Sequence, residues 1–252
     1  MSKILISGYY GFANAGDEAM LTAIIESLRQ VEKNVELTVL SGNPEDTAAK
    51  HQVCSVYRFN PLGIIRTMKD SELIISGGGS LLQDVTSKRS LLYYLSIIGL
   101  GKFFGKKVML FAQGIGPIRA KWARKLTSLV CNEADLITVR DSESAAELIE
   151  MGVKPEKITV TADSVLSLNP VTKECGQYLL QEAGVDLTKP VIGISVRPWS
   201  GDSQCFQVLA EAASKLQQSY GAQLILLPLQ YSVDVKAVSY THLRAHETCA
   251  DL

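Results

Sequence analysis

Leu73-Ile74-Ile75-Ser76-Gly77-Gly78-Gly79-Ser80-Leu81-Leu82-Gln83-Asp84 decides how this chain is read. The short apolar run predicts a buried strand. The three glycines after it let the backbone turn sharply and come close to a ligand. Ser80, Gln83 and Asp84 then place polar groups at the mouth of the turn. The design recurs twice. Ile4-Leu5-Ile6-Ser7-Gly8 runs into Asn14-Ala15-Gly16-Asp17, and Val108-Met109-Leu110-Phe111-Ala112 into Gln113-Gly114-Ile115-Gly116-Pro117. Open α/β sheets bind ligands beyond the carboxyl ends of their strands, so three such turns predict a ligand cleft and an enzyme rather than a scaffold.

Outward from these turns, strand-like and helix-like segments alternate. A helix is predicted over 18–31, where Met20, Ile24, Leu28 and Val31 share one face. Further helices are predicted over 62–68, 87–104, 120–131 and 142–151. Strands are predicted over 35–40, 52–57, 73–75, 108–111, 136–139 and 158–161. This spacing implies right-handed βαβ units and a parallel sheet. The fold class is α/β, with one Rossmann-like domain over 1–168. After a break near Ser167-Leu168-Asn169-Pro170, a second Rossmann-like domain is expected over 169–237. It stops after strands at 191–196 and 224–227 and the helix between them, too few elements to bury a full core. Val238-Ser239-Tyr240-Thr241-His242-Leu243-Arg244-Ala245-His246-Glu247-Thr248 breaks the pattern and matches one reading frame of a sequencing-library adapter. Residues 238–252 are therefore expected to be a non-native tail, and the second domain to be incomplete.

The bulk numbers bound the function. The chain has 252 residues, 46% hydrophobic and 20% charged, with a formal net charge of −1. Without the tail, basic and acidic residues balance at 24 each. No clustered basic excess predicts a nucleic-acid partner. No leader is expected before the first strand, and the expected location is cytoplasmic, at most at the inner face of a membrane. The apolar run Leu91–Gly101 is too short to span a bilayer and reads as a core helix. The weaker alternative is a helix resting on a membrane through its aromatic residues and basic flanks. Five scattered cysteines lack a C-x-x-C pair and read as reduced, mostly buried thiols. No spacing resembles a metal site, and no G-x-G-x-x-G or Walker A motif supports a dinucleotide or P-loop reading. No cofactor is expected.

The candidate site residues lie at the strand ends. Asn14, Gly16 and Asp17 surround a helix start, where free N–H groups favour an anion; the plainer reading is a cap by Asn14 or Asp17. Gly77, Gly78 and Gly79 are assigned to ligand approach, three in a row being more than strand–helix packing needs. Arg140 and Arg197 each follow a hydrophobic strand directly, where arginine can hold a carboxylate or phosphate bidentately. The alternative for Arg140 is an ion pair with Asp141 or Glu143. Asp84, Asp141 and Asp163 are each candidates for a general base or for orienting an arginine. His51 reads as structural or exposed.

Taken together, Gly8-Tyr9-Tyr10-Gly11-Phe12-Ala13-Asn14-Ala15-Gly16-Asp17-Glu18-Ala19-Met20, Gly77–Asp84, Gln113–Pro117, Val139-Arg140-Asp141-Ser142 and Ser195-Val196-Arg197-Pro198-Trp199 resemble the polysaccharide pyruvyl transferase family, in particular its CsaB type. The resemblance implies a GT-B-like pair of Rossmann-like domains and phosphoenolpyruvate as donor substrate. The product it implies is a pyruvyl ketal on a sugar, N-acetylmannosamine, of a lipid-linked cell-wall glycan that anchors surface-layer proteins. It further implies catalytic roles for Asp17 and Asp163. Substrate contacts fall to Asn14, Gly16, Gly77, Gly78, Gly79, Ser80, Asp84, Gln113, Gly114, Arg140 and Arg197. A lipid-linked acceptor also implies peripheral membrane contact. The family's second-half histidine and basic residues have no counterparts before residue 238, so this chain is expected to be inactive by itself. The alternatives are a GT-B nucleotide-sugar glycosyltransferase and a non-catalytic fragment.

Overall fold

The computed structural model describes residues 2–197, 203–234 and 248–249. Pro198 and Trp199, expected to fix the Arg197 loop, lie outside the described residues, as does the tail apart from Thr248 and Cys249. The chain divides into two compact units: Met1–Phe12 with Gly16–Leu168, and Ala13–Ala15 with Asn169–Leu252.

The first unit is built on a seven-stranded sheet. In chain order its strands are β1 (Lys3–Tyr10), β2 (Glu36–Ser41), β3 (Cys54–Tyr57), β4 (Leu73–Gly77), β5 (Lys107–Gln113), β6 (Leu136–Val139) and β7 (Ile158–Val160). All adjacent pairs are parallel, in the order β3-β2-β1-β4-β5-β6-β7. Strand order therefore reverses between β1 and β4, the switch point at which sheets of this kind open a ligand crevice. The Gly77–Gly79 turn leaves the sheet at that point.

Helices cover both faces because successive strand residues point to opposite sides. Leu5 joins a core with Ile64 and Met68 of α3 (Pro61–Asp70), with Leu91, Leu95 and Ile98 of α4 (Lys88–Phe103), and with Ala123 and Cys131 of α5 (Lys121–Glu133). Its neighbours Ile4 and Ile6 face the other way, onto Leu21, Ile24 and Ile25 of α1 (Ala15–Val31). A central strand buried on both faces must be apolar along its whole length, which is why the continuous runs in the sequence mark β1, β4 and β5.

The structure adds α2 (Pro44–His51), where the sequence reading expected only an approach to a strand. Asn43 caps it by accepting from the Asp46 N–H, with proline in the first turn. Gln52 then adopts a left-handed φ of 54°, so the strand begins at Cys54 rather than at Gln52. His51 ends α2, its ring mostly buried against Glu18 with Nε2 3.1 Å from Oε2. The cysteines depart from expectation: Cys131 is buried, while Cys54, Cys175 and Cys205 lie on an edge strand and outer helix turns and are exposed.

The second unit holds α7 (Lys173–Glu182), β8 (Val191–Ile194), α8 (Ser203–Tyr220), β9 (Gln223–Leu226) and β10 (Thr248–Cys249). Its three-stranded sheet is parallel, in the order β10-β9-β8. No helix among the described residues is long and apolar enough to cross a membrane.

Candidate active site at the carboxyl edge of the first sheet

Four adjacent strands deliver one cluster. Ser80 follows β4, Gly114 follows β5, Arg140 and Asp141 follow β6, and Asp163 follows β7. Three lateral bonds lock the turn after β5 alongside the turn after β4. The Gly114 N–H donates to Gly79 O at 3.1 Å, Gly116 to Leu82 O at 2.8 Å, and the Asp84 N–H to Pro117 O at 3.2 Å. The Arg140 N–H donates to Gln113 O at 3.1 Å, so its side chain starts from the same ledge.

The Arg140 guanidinium lies over Gly114. A Cβ on Gly114 would stand 2.6 Å from Ser80 Oγ and 2.8 Å from Arg140 Cζ and Nε, which explains the glycine without any appeal to its φ. Arg140 donates from Nη2 to Ser80 Oγ (3.2 Å), from Nη1 to Asp163 Oδ2 (3.4 Å) and from Nε to Asp141 Oδ2 (3.3 Å). It pairs with Asp141 and Asp163, and no ion pair to Glu143 forms.

These bonds are long, and the carboxylates have shorter ones elsewhere. Asp141 caps α6 (Ser142–Glu150) by accepting from the Ser144 N–H at 2.7 Å. Hydrogen bonding from Ser144, ahead of the Arg140 charge, holds the Asp141 carboxyl below its usual range. Asp163 accepts from the Val165 N–H at 3.1 Å and caps a short helical turn, Ser164–Ser167. Each acid thus holds a backbone N–H more closely than it holds Arg140. The guanidinium, whose side chain is 35% exposed, keeps donors for an incoming anion.

Each of the three glycines has a reason inside the protein. A Cβ on Gly77 would meet Ile24 Cδ1 of α1 at 2.8 Å. Gly78 and Gly79 hold φ of +79° and +66°, where side chains are strained. A Cβ on Gly79 would also sit 3.1 Å from Asp17 Oδ1. Tyr10, fully buried, donates its hydroxyl to Gly77 O at 2.6 Å, and burial followed by the Asp17 charge raises its pKa well above the ordinary value. Packing thus constrains Gly77, and backbone conformation Gly78 and Gly79. Ser80, exposed, is the residue of this turn that faces outward.

Two further candidates have partners inside the protein. Gln113 is fully buried because it ends β5 on the core side; its side-chain amide donates to Ser76 Oγ at 2.9 Å, and its backbone carbonyl accepts from the Arg140 N–H. Asp84 accepts from the Arg119 and Ala120 N–H groups at 2.9 Å each, so its carboxylate tethers the start of α5. The Arg119 N–H, opposed by partial desolvation, draws its pKa down. Gly16 and Asp17 lie in the first turn of α1. In the second unit Asn14 pairs with Gln230, and Arg197 donates from Nη2 to Gln230 Oε1 at 2.8 Å.

Sequence reading missed Arg58, which follows β3 directly, as Arg140 follows β6. It is 5% exposed, with Cζ 4.4 Å from the Tyr93 ring centroid, 5.2 Å from Phe59 and 5.4 Å from both Phe12 and Tyr94. Position after a strand was the available signal. The aromatic cage was not, because it gathers rings from three separate segments.

An α/β protein with an arginine at the carboxyl edge of a parallel sheet is the class these observations define. Several solved structures share its fold along the whole chain. The Neisseria meningitidis UDP-GlcNAc 2-epimerase bound to UDP-GlcNAc gives a TM-score of 0.63 at 11% identity, covering 100% of this chain and 72% of that one. Anabaena HepE in complex with UDP-glucose gives 0.60 at 15%, covering 99% and 68%. The S. aureus MnaA–UDP complex gives 0.56 at 14%, covering 100% and 69%. At such identities the likeness is one of fold. No curated protein sequence matches the chain. Residues 14–248 match the polysaccharide pyruvyl transferase family, and the chain belongs to it.

Proposed function

We propose that this protein, as a CsaB-type member, moves pyruvyl from phosphoenolpyruvate onto two hydroxyls of an N-acetylmannosamine residue in a lipid-linked cell-wall glycan. The resulting ketal serves to anchor surface-layer proteins. The carrying observation is Arg140, held open over Gly114 beside the Ser80 hydroxyl by two carboxylates that are themselves capped. Phosphoenolpyruvate presents a carboxylate and a phosphate. A planar guanidinium binds either one bidentately, and the Ser80 hydroxyl adds a donor.

The reaction is addition followed by elimination. A proton goes to the methylene carbon, making the methyl group, as one sugar hydroxyl attacks the central carbon and gives up its own proton. Phosphate leaves with the C–O bonding pair, and the second hydroxyl closes the ketal with loss of its proton. In this scheme Asp163 and Asp141 orient Arg140, and Asp17, whose carboxylate lies over Gly79, takes the hydroxyl proton.

The test is calorimetric titration of the purified chain with phosphoenolpyruvate, UDP-GlcNAc and inorganic phosphate, repeated with Arg140→Ala. Binding of phosphoenolpyruvate that is lost in Arg140→Ala, with no binding of UDP-GlcNAc, is the expected result. Binding of UDP-GlcNAc in place of phosphoenolpyruvate overturns the reading in favour of nucleotide-sugar chemistry.

A further inference from the structure

One helical layer of the first unit carries a surface that the site does not use. α4 buries Leu91, Leu95 and Ile98 in the core, while Leu92, Leu100 and Phe103 point outward with exposed Ser96 between them, Phe103 at 81% exposure. The helices flanking α4 continue the apolar surface, with Leu62 of α3 exposed at 81% and Trp122 and Leu129 of α5 at 47% and 59%. Lys69 of α3 places its Nζ 5.3 Å from the Phe104 ring just beyond α4, so basic and apolar groups share one face.

Charge is sorted onto the same layer. α3, α4 and α5 together carry eight basic residues against two acidic ones, although the whole chain carries 25 against 26. Lys102 pairs with Asp135, and Arg124 with Glu147 and Glu150 of α6, while Arg66, Lys69, Lys88, Arg89, Lys121 and Lys125 are exposed. An outward apolar ridge with an aromatic at its edge and lysines around it is the pattern of a helix lying in a membrane interface. A second copy of the chain fits poorly, because a two-fold contact through this face would set its basic residues against themselves.

We propose that the outer face of α3, α4 and α5 docks on an anionic lipid bilayer. Phe103, Leu92 and Trp122 enter the headgroup boundary, and Arg66, Arg89 and Lys125 meet the lipid phosphates. This goes beyond the reading of the Arg140 site and stands whether or not that site takes phosphoenolpyruvate.

The test is flotation of the full chain with phosphatidylcholine vesicles, with and without phosphatidylglycerol, at low and high salt. Partitioning is expected only with phosphatidylglycerol and is expected to fall as salt rises. A lysine near such a surface changes partitioning about fivefold, so Lys121→Gln/Lys125→Gln is expected to lower it about 25-fold with an unchanged melting temperature. Phe103→Ser is expected to weaken binding at both salt concentrations. Arg140→Ala is expected to float like the parent while losing phosphoenolpyruvate, which separates failure of this proposal from failure of the site reading. Equal partitioning into neutral and anionic vesicles, or into neither, overturns the proposal. So does a dimer in sedimentation that Trp122→Ala dissolves, or capture of an acidic protein by a chain that ignores vesicles.

Discussion

Gly114→Ala isolates the geometry of the candidate site from the stability of the fold. A Cβ there would stand 2.6 Å from Ser80 Oγ and 2.8 Å from Arg140 Cζ, whereas ordinary contact begins at 3.4 Å. The guanidinium or the serine must therefore retreat by roughly 0.6–0.8 Å. That is enough to break bonds that already stand at 3.2 Å to Ser80 and 3.4 Å to Asp163. The clashing atoms are the far ends of flexible side chains, so overpacking is expected to cost the fold about 1 kcal/mol, the low end of its range. Hydrogen bonds to charged groups are worth about 1.5–3 kcal/mol, so misplacing the arginine is expected to weaken phosphoenolpyruvate binding about 10- to 150-fold. Calorimetric titration measures the affinity, and a circular-dichroism melt the stability. Gly99→Ala is the control. A Cβ at Gly99 meets nothing within 4 Å, and the change is expected to stabilise α4 by about 0.5–1 kcal/mol with affinity intact. An unchanged phosphoenolpyruvate affinity in Gly114→Ala would refute the assignment of the donor to Arg140.

Three other perturbations bear on residues that hold the frame. Asp84→Ala removes the acceptor of two N–H groups at the start of α5; it is expected to cost about 1–2 kcal/mol in chemical denaturation and to leave donor affinity unaltered, and a selective loss of affinity would return Asp84 to the site. At Asp135 partial burial disfavours the charge, but bonds from Lys102, the Val108 N–H and Lys107 outweigh it and pull the carboxyl from 3.8 to about 2. Because the folded value is the lower one, the stabilisation is fully present above pH 3.8 and disappears as pH falls toward about 2. With the side chain 30% exposed, about 1 kcal/mol is expected after solvent screening, and an Asp135→Asn difference that stays constant across this window contradicts the assignment. Arg58→Ala strips the centre from the aromatic cage and is expected to lower stability by about 2–4 kcal/mol, read as a shift in denaturation midpoint; a surface-like change below about 0.5 kcal/mol would mean the rings pack without it.

The fold was legible where burial on both faces forced continuous apolar runs, as in Ile4–Ser7, Leu73–Ile75 and Val108–Phe111, because such runs have few other stable placements in an α/β chain. Its boundaries were less legible. α2 was missed although Asn43-Pro44 is a helix-start signal, since Thr47 is its single buried residue and no apolar stripe announces it. At the site, position after a strand identified Arg140, but the same rule applied to Gln113 and Asp84 pointed at residues with internal partners. A strand-end residue faces outward or inward according to the pleat and the bend of the turn, and Ala112 at φ 47° shifts that phase just before Gln113. The glycine run shows the converse difficulty. Gly77 answers to Ile24, Gly78 and Gly79 to backbone conformation, and Gly114 to the Arg140 guanidinium. A glycine in sequence marks a place where a side chain is excluded without saying by what. Only Gly114 owes its identity to the arginine, so the most specific trace of the site in the sequence is the pairing of Gly114 with Arg140 across two strands, and neither residue announces it alone.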